Sequence, residues 1–125
     1  MEFALVVPVF LCLVFGVLEF ARVYMVNELL TEAARKSCRV AIVQGTSSQQ
    51  IKTAATDSLT LLNIKGESVG ISVNEAPLDS VDPQNMPAFT EMTVVVSVSA
   101  KSVSWLPTPL FVNGTLSGSF TMRRQ

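Results

Sequence analysis

Histidine is absent from this 125-residue sequence, and charged residues make up only 15% of it, against a typical value of about 25%. The chain therefore lacks the commonest general base and the commonest metal ligand. Its 9 basic and 10 acidic residues nearly balance, so no basic surface for a nucleic acid is indicated. Serine and threonine are frequent, but no histidine is present to activate them as nucleophiles. These absences argue against an enzyme, a cofactor-dependent protein and a nucleic-acid-binding protein.

Cysteine is scarce as well, and the two cysteines, Cys12 and Cys38, stand far apart. On one continuous helix their separation is roughly 39 Å, whereas a disulfide needs Cα atoms within about 7 Å. An intrachain disulfide is excluded in that geometry. Cys12 lies in an apolar run and is expected to behave as a small hydrophobic residue.

Two local motifs have simpler structural explanations. Asp79 and Asp82 lie in a proline-rich loop, but they lack the further spaced oxygen ligands of a calcium site, so no metal site is predicted. Asn113-Gly114-Thr115 fits the glycosylation triplet, yet Asn-Gly by itself is a hairpin-turn signal.

No charge occurs between positions 3 and 18, which read FALVVPVFLCLVFGVL. As a helix this run spans about 24 Å, slightly less than the roughly 30 Å hydrocarbon core of a bilayer. A cleaved signal peptide would begin with basic residues and end at a small-x-small cleavage site. Here Glu2 precedes the run, and Glu19-Phe20-Ala21-Arg22 follows it. The pattern favours a retained single membrane helix.

The helical pattern continues beyond the apolar run. From Val23 onward, apolar residues recur at helical spacing, and the opposite side carries Glu28, Glu32, Arg35, Lys36 and Arg39. Glu32 precedes Arg35 and Lys36 by three and four residues, the orientation that stabilises a helix. Gly45 supplies a stop signal. We predict one helix from near Glu2 to about Gln44.

Three residues in this helix have possible roles in helix packing. Pro8 removes a backbone hydrogen bond, which predicts a kink near Ala4. Gly16 permits close approach of two helices. Glu2 is either an acid favoured by the helix dipole or a register device that neutralises the terminal ammonium of a neighbouring helix. The sequence leaves both interpretations of Glu2 open.

The remainder predicts a small α+β head. Ser48 is a candidate N-cap of a second helix, which buries one face comprising Ile51, Ala54, Ala55, Ser58, Leu59 and Leu62. Alternating patterns predict strands over 68–74, 92–103 and 116–124, and a loop over 75–91. About three antiparallel strands would pack on the second helix and the distal half of the first. We therefore divide the chain into an apolar membrane and assembly helix, 1–22, and a head, 23–125.

An apolar cluster around Trp105 and Phe111 lies between the last two predicted strands. It either closes one end of the core or forms a lateral contact between subunits.

The opening of the chain resembles a known family. Residues 1–8 (MEFALVVP) and 15–22 (FGVLEFAR) look like the start of TadE/TadG-like pseudopilins, in the tight-adherence (Tad) branch of the type IV pilus superfamily. Ala33-Ala34-Arg35 and the closing strand 116–124 are also similar. Glu2 matches by context the family acid that pairs with a neighbour's N-terminus, although it stands nearer the start of this sequence. The candidate assembly residues are Glu2, Phe3, Pro8, Gly16, Glu19 and Arg22.

The resemblance implies a structural pilin or pseudopilin with a pilin-like fold. A prepilin peptidase would remove a short basic leader, and an ATPase machine would draw the helix from the bacterial inner membrane into a cell-surface filament or its tip. Partners would be further copies or other pilins, in adhesion or secretion machinery. The alternative is a single-pass accessory protein that holds its head outside the cytoplasm as a binding module and does not polymerise.

Overall fold

The computed structural model describes residues 3–60, 63, 69–103 and 114–125. One helix, α1, runs from Phe3 to Ala41 and includes Pro8. It ends three residues before the predicted Gln44. Thr46 Oγ1, just beyond this end, lies 2.9 Å from the Val40 and 2.8 Å from the Val43 carbonyl oxygen, so its single hydrogen is shared between two carbonyls of the last turn. Gly45 follows the helix with a φ of +82°. The single long helix is confirmed.

The second helix, α2, spans Ser48–Leu59, and its N-cap is Ser47 instead of the predicted Ser48. Ser47 has an extended backbone, and its hydroxyl accepts a hydrogen bond from the Gln50 amide. The Gln50 side chain in turn accepts a hydrogen bond from the Ser47 amide at 3.0 Å. This reciprocal capping box requires a Ser-x-x-Gln spacing, which Ser47 satisfies and Ser48 does not.

A four-stranded antiparallel sheet completes the head. Its strands are β1 (Val69–Val73), β2 (Ala76–Pro77), β3 (Glu91–Ser99) and β4 (Thr115–Arg123), in the order β2-β1-β3-β4. Three strands were predicted; the fourth, β2, lies in the segment assigned to a loop. It pairs with β1 because Asn74 and Glu75 both have positive φ, the geometry of a tight hairpin turn. The strand predicted over 92–103 ends at Ser99, where a 3-10 turn, Ala100–Ser102, begins.

The core lies between the sheet and the two helices. Alternate residues of β3 point inward, as predicted, and the facing sides of both helices are apolar. Fully buried side chains include Val26, Leu30, Ala33, Ala34 and Cys38 of α1, Ile51, Ala55 and Leu59 of α2, and Met92, Val94 and Val96 of β3.

β4 lies directly against the backbone of α1. A Cβ atom at Gly118 would lie 2.4 Å from the Leu30 carbonyl carbon and 2.4 Å from the Thr31 amide nitrogen, so only glycine fits. Farther along the strand, the Arg35 guanidinium lies 5.0 Å from the centre of the Phe120 ring. The strand therefore packs along α1 from Leu30 to Arg35, a little more than one helical turn, and ties the sheet to the distal half of α1.

Candidate assembly surface

The first half of α1 extends beyond the head with its apolar side chains exposed. Phe3 is 84% exposed, and the large residues that follow it up to Leu18 are also accessible. Exposing a large apolar side chain to water costs about 1.5–3 kcal/mol. α1 is long and apolar enough to cross a membrane. This segment therefore needs lipid or another protein around it.

Small residues recur at every fourth position of this exposed segment: Ala4, Pro8, Cys12 and Gly16. The other twelve residues between 3 and 18 are all Phe, Leu or Val. Residues four apart are neighbours on a helix surface, and rows of small residues let the backbones of two membrane helices approach closely. Pro8 and Gly16 were predicted from the sequence as assembly positions; Ala4 and Cys12, which complete the row, were not.

Glu19 and Arg22 lie where the head meets the helix. Glu19 is only 5% exposed, between Leu18 at 52% and Phe20 at 65%. Arg22 Nε donates a hydrogen bond to the Val103 carbonyl oxygen at 3.2 Å, just beyond the end of β3. These two residues, predicted from the sequence as assembly positions, are therefore near the junction between the exposed segment and the head.

Three predicted positions lie outside the described residues. They are Glu2, with its register role, and Trp105 and Phe111, with their possible lateral contact. These roles stay predictions.

The outer side of the distal half of α1 carries the predicted charges. Glu32 and Lys36 form an ion pair at 3.0 Å, as expected, and each side chain is 54% exposed. Arg35, expected to contact Glu32 as well, lies over the Phe120 ring instead. A cation over an aromatic ring is attracted by the ring's electrons, so Arg35 helps to hold β4 against the helix.

Arg124 has a structural role that was not predicted from the sequence. Its side chain is 2% exposed, and Nη1 donates to the Pro83 carbonyl oxygen at 2.7 Å. Its backbone amide donates to Thr90 at 2.9 Å, and its carbonyl accepts from Phe89 at 3.1 Å. These contacts fix the loop before β3 to the end of β4. The sequence does contain a signal for the burial of Arg124, because this residue continues the inward alternation of Gly118, Phe120 and Met122.

The two cysteines have different surroundings. Cys38 is fully buried, and its Sγ donates to the Met92 carbonyl oxygen at 3.3 Å. Burial raises the pKa of the Cys38 thiol, so the reactive thiolate is suppressed. Cys12 is exposed on the apolar segment. Across the described part of the chain, no three Cys, Asp or Glu side chains cluster closely enough to hold a metal ion.

A sequence model of the TadE-like protein family matches residues 1–39. No curated protein and no solved structure matches the chain. The matched region covers nearly all of α1, including the exposed apolar segment, and it confirms the family resemblance seen in the opening residues. The family match and the apolar N-terminal helix fit a Tad pilin-like protein with a membrane anchor.

Proposed function

We propose that this chain, whose residues 1–39 match TadE-like proteins, is a structural subunit that assembles through its apolar N-terminal helix into a bacterial surface filament or its tip. Before assembly, the helix is anchored in the inner membrane with the head outside the cytoplasm. A prepilin peptidase processes the precursor, and an assembly ATPase drives its extraction from the membrane. The filament serves adhesion or secretion.

One observation carries this proposal: the apolar segment and the head belong to a single helix. Residues 3–18 are accessible around the helix, whereas from Val26 onward one side of the same helix is buried in the head. A rigid helix of this kind can leave lipid and insert among neighbouring helices without refolding of the head. The row of small residues at 4, 8, 12 and 16 gives such helices a place for close contact.

The stability of the assembly should come mainly from apolar burial outside the membrane. Inside the membrane, a helix that joins a bundle exchanges lipid contacts for protein contacts, with little net hydrophobic gain. Outside it, the large side chains of residues 3–18 would otherwise face water, at about 1.5–3 kcal/mol each.

The test is to shear cells, collect surface material and identify the protein in it. A pilin-like subunit is recovered in sheared filaments, whereas an accessory protein that does not polymerise stays entirely in the membrane fraction. Recovered filaments are then placed in molar salt and, separately, in mild detergent. We expect survival in salt, which screens ion pairs, and disassembly in detergent. The opposite result would show that charge pairing holds the assembly.

Glu2→Ala provides a second test. We expect fewer filaments with an unchanged head, because the head core begins at Val26, which is about 35 Å along the helix from its first residue, Phe3. Asp57→Ala, a substitution of an exposed acid on α2, serves as a comparison outside α1. A normal filament yield from Glu2→Ala would contradict the register role.

A further inference from the structure

The two edges of the sheet are protected to different degrees. β2, at one edge, is only two residues long and ends in Pro77, and both features discourage the pairing of a further strand. β4, at the other edge, pairs with β3 in unbroken register from Thr115 to Arg123. Its nine residues include no proline and no lysine. β4 therefore lacks the features that usually protect an edge strand.

The hydrogen bonds at the two ends of β4 show which of its backbone groups face β3. The Ala100 amide donates to the Gly114 carbonyl oxygen, and the Arg124 amide donates to the Thr90 carbonyl oxygen, both at 2.9 Å. Residues of an antiparallel pair alternate between those that bond to the partner strand and those that do not, so the even-numbered residues of β4 bond to β3.

The odd-numbered residues of β4 direct their backbone amides and carbonyls away from the sheet. We call these backbone groups the free edge of β4; they belong to Thr115, Ser117, Ser119, Thr121 and Arg123. Within the part of the chain that the structure describes, they make no hydrogen bond outside the strand ladder. Unpaired amides and carbonyls in a row match the backbone of another extended chain.

The side chains of β4 indicate what kind of strand fits beside it. The odd-numbered side chains are exposed, and all but Arg123 carry a hydroxyl group. Leu116, Phe120 and Met122 point to the opposite side and are packed against the core, yet they are only partly buried. An added strand would continue both faces of the sheet, with polar side chains beside the hydroxyl groups and apolar side chains beside these three residues.

The direction of β4 relative to α1 limits what can occupy the free edge. Gly118 lies against Leu30 and Thr31, and farther along both elements Gln44 Nε2 donates to the Gln125 carbonyl oxygen at 3.4 Å. β4 and α1 therefore run in the same direction. If the β4 strands of two copies paired antiparallel, their α1 helices would point in opposite directions. Two chains anchored in one membrane cannot adopt that arrangement.

We propose that the free edge of β4 is a binding site for an extended strand of a different protein, which joins the sheet antiparallel to β4. Backbone hydrogen bonds supply the affinity, as in other cases of strand addition, and alternate side chains supply the specificity. The antiparallel direction is the more stable one per residue. The inference goes beyond the proposed function and uses only its membrane anchor, which excludes an antiparallel second copy.

A peptide with the sequence of β4, TLSGSFTMR, is a suitable probe because it has the required alternation and carries no helix. Centred on Ser119, it can pair antiparallel with the whole strand. Amide hydrogen exchange is followed by NMR on the full chain in mild detergent. Without peptide, the amides of residues 117, 119 and 121 should exchange at least about tenfold faster than those of 116, 118 and 120, because only the latter are paired.

Peptide addition should slow exchange at residues 117, 119 and 121 and leave the even-numbered amides unchanged. The control is the same peptide methylated on the backbone nitrogens of its second serine and its second threonine, which would face β4; it should not slow exchange. If the unmethylated peptide also fails to slow exchange, the proposed binding site is wrong. The control peptide leaves the protein unaltered, so its result does not depend on the folding of a variant.

Ser119→Pro tests the same edge from the protein side. Proline removes the outward amide of Ser119 and no bond to β3, and edge strands tolerate proline at such positions. We expect peptide binding to weaken by about tenfold or more, the equivalent of one hydrogen bond. Ser119→Ala keeps the amide and should stay within about twofold. Protection of the even-numbered amides verifies that β4 still forms. Equal binding by the two variants would overturn the proposal.

Ser119→Cys in the Cys12→Ala background tests the identity of the occupant. Two copies paired about Ser119 would bring the new cysteines to a Cα separation of about 5.5 Å, which suits a disulfide, whereas Cys38 is buried. We expect no cross-linked homodimer in membranes under mild oxidation. An abundant homodimer would show that a second copy covers the free edge. Recovery of the chain in sheared filaments tests the proposed function separately, because peptide binding does not require a filament.

Discussion

The two halves of α1 use apolar residues in different ways. Residues 3–18 are apolar on every side and are accessible on nearly every side. From Val26 to Ala41, only one side is apolar, and that side is fully buried against α2 and the sheet. A helix that is apolar all round needs a surrounding apolar environment, whereas a helix with one apolar stripe needs only one packed face. One continuous helix thus joins a membrane-type segment to a globular core.

Small residues also serve the two halves differently. In the distal half, Ala33 and Ala34 are fully buried in the head, and Gly118 of β4 lies against the backbone of Leu30 and Thr31. The head therefore already fills the space beside these small residues. In the apolar segment, a Cβ atom at Gly16 would meet nothing within 4 Å. Small residues are therefore packed within the head in one half of the helix, whereas in the other half they are accessible for contact with another helix.

Substitution of Gly118 should have the largest effect on the head. In Gly118→Ala, the new methyl group would overlap three backbone atoms of Leu30 and Thr31 at 2.4–2.7 Å, and backbone cannot rotate away. We expect a loss of about 4 kcal/mol or more in the free energy of unfolding, because overpacking against a fixed neighbour separates packed elements. The measurement is urea unfolding of the full chain in mild detergent. The chain carries Cys12→Ala, so that alkylation reports only the exposure of Cys38 as the head unfolds.

Two other glycines supply matched controls. In Gly70→Ala the closest contact is the rotatable Ser97 hydroxyl at 2.7 Å, and Gly16→Ala meets no neighbour. Both should change the stability of the head by less than about 1 kcal/mol. Equal losses of stability in all three variants would show that the close approach of β4 to α1 is not the reason for the sensitivity of Gly118 to substitution.

A pair of leucines compares the two halves directly. Leu30 is fully buried in the head, whereas Leu13 is exposed on the apolar segment. We expect Leu30→Ala to lower the free energy of unfolding of the head by about 3 kcal/mol, in the usual range for a buried leucine. Leu13→Ala should leave the head unchanged and reduce only association of the helices. Comparable destabilisation of the head by both variants would contradict the division of α1.

Much of this arrangement follows from periodic patterns in the sequence. The uncharged run from Phe3 to Leu18 and the spacing beyond it predict one helix with two environments, and the alternation along β3 predicts its buried face. The short strand β2 was missed because its hairpin turn uses Asn74 and Glu75, not the Asn-Gly signal. The constraint at Gly118 and the burial of Arg124 depend on contacts between distant parts of the chain, which local patterns do not encode.

The start of α2 provides a smaller test, where local sequence rules alone decide. Ser47→Ala removes the hydroxyl that accepts from the Gln50 amide and should cost about 1 kcal/mol. Ser48→Ala is the matched control, because Ser48 lies inside the helix and its hydroxyl makes only a 3.4 Å contact with the Val81 carbonyl oxygen. We expect a loss of less than about 0.5 kcal/mol for this control. A larger loss of stability from Ser48→Ala than from Ser47→Ala would show that Ser48, as predicted from the sequence, is the N-cap.

The smallest effect on the head should come from the outer side of α1, at the Glu32–Lys36 ion pair. Both side chains are 54% exposed and stand one helical turn apart, so water and salt screen their attraction. Glu32→Gln should therefore change the free energy of unfolding of the head by only about 0–0.5 kcal/mol. Lys36→Gln removes the other partner of the same pair and should give the same small change. A loss of more than about 1 kcal/mol from Glu32→Gln would lie outside the range for exposed pairs. The exposed side of the distal half would then contribute to the stability of the head. The distinction between its exposed and buried sides would be wrong.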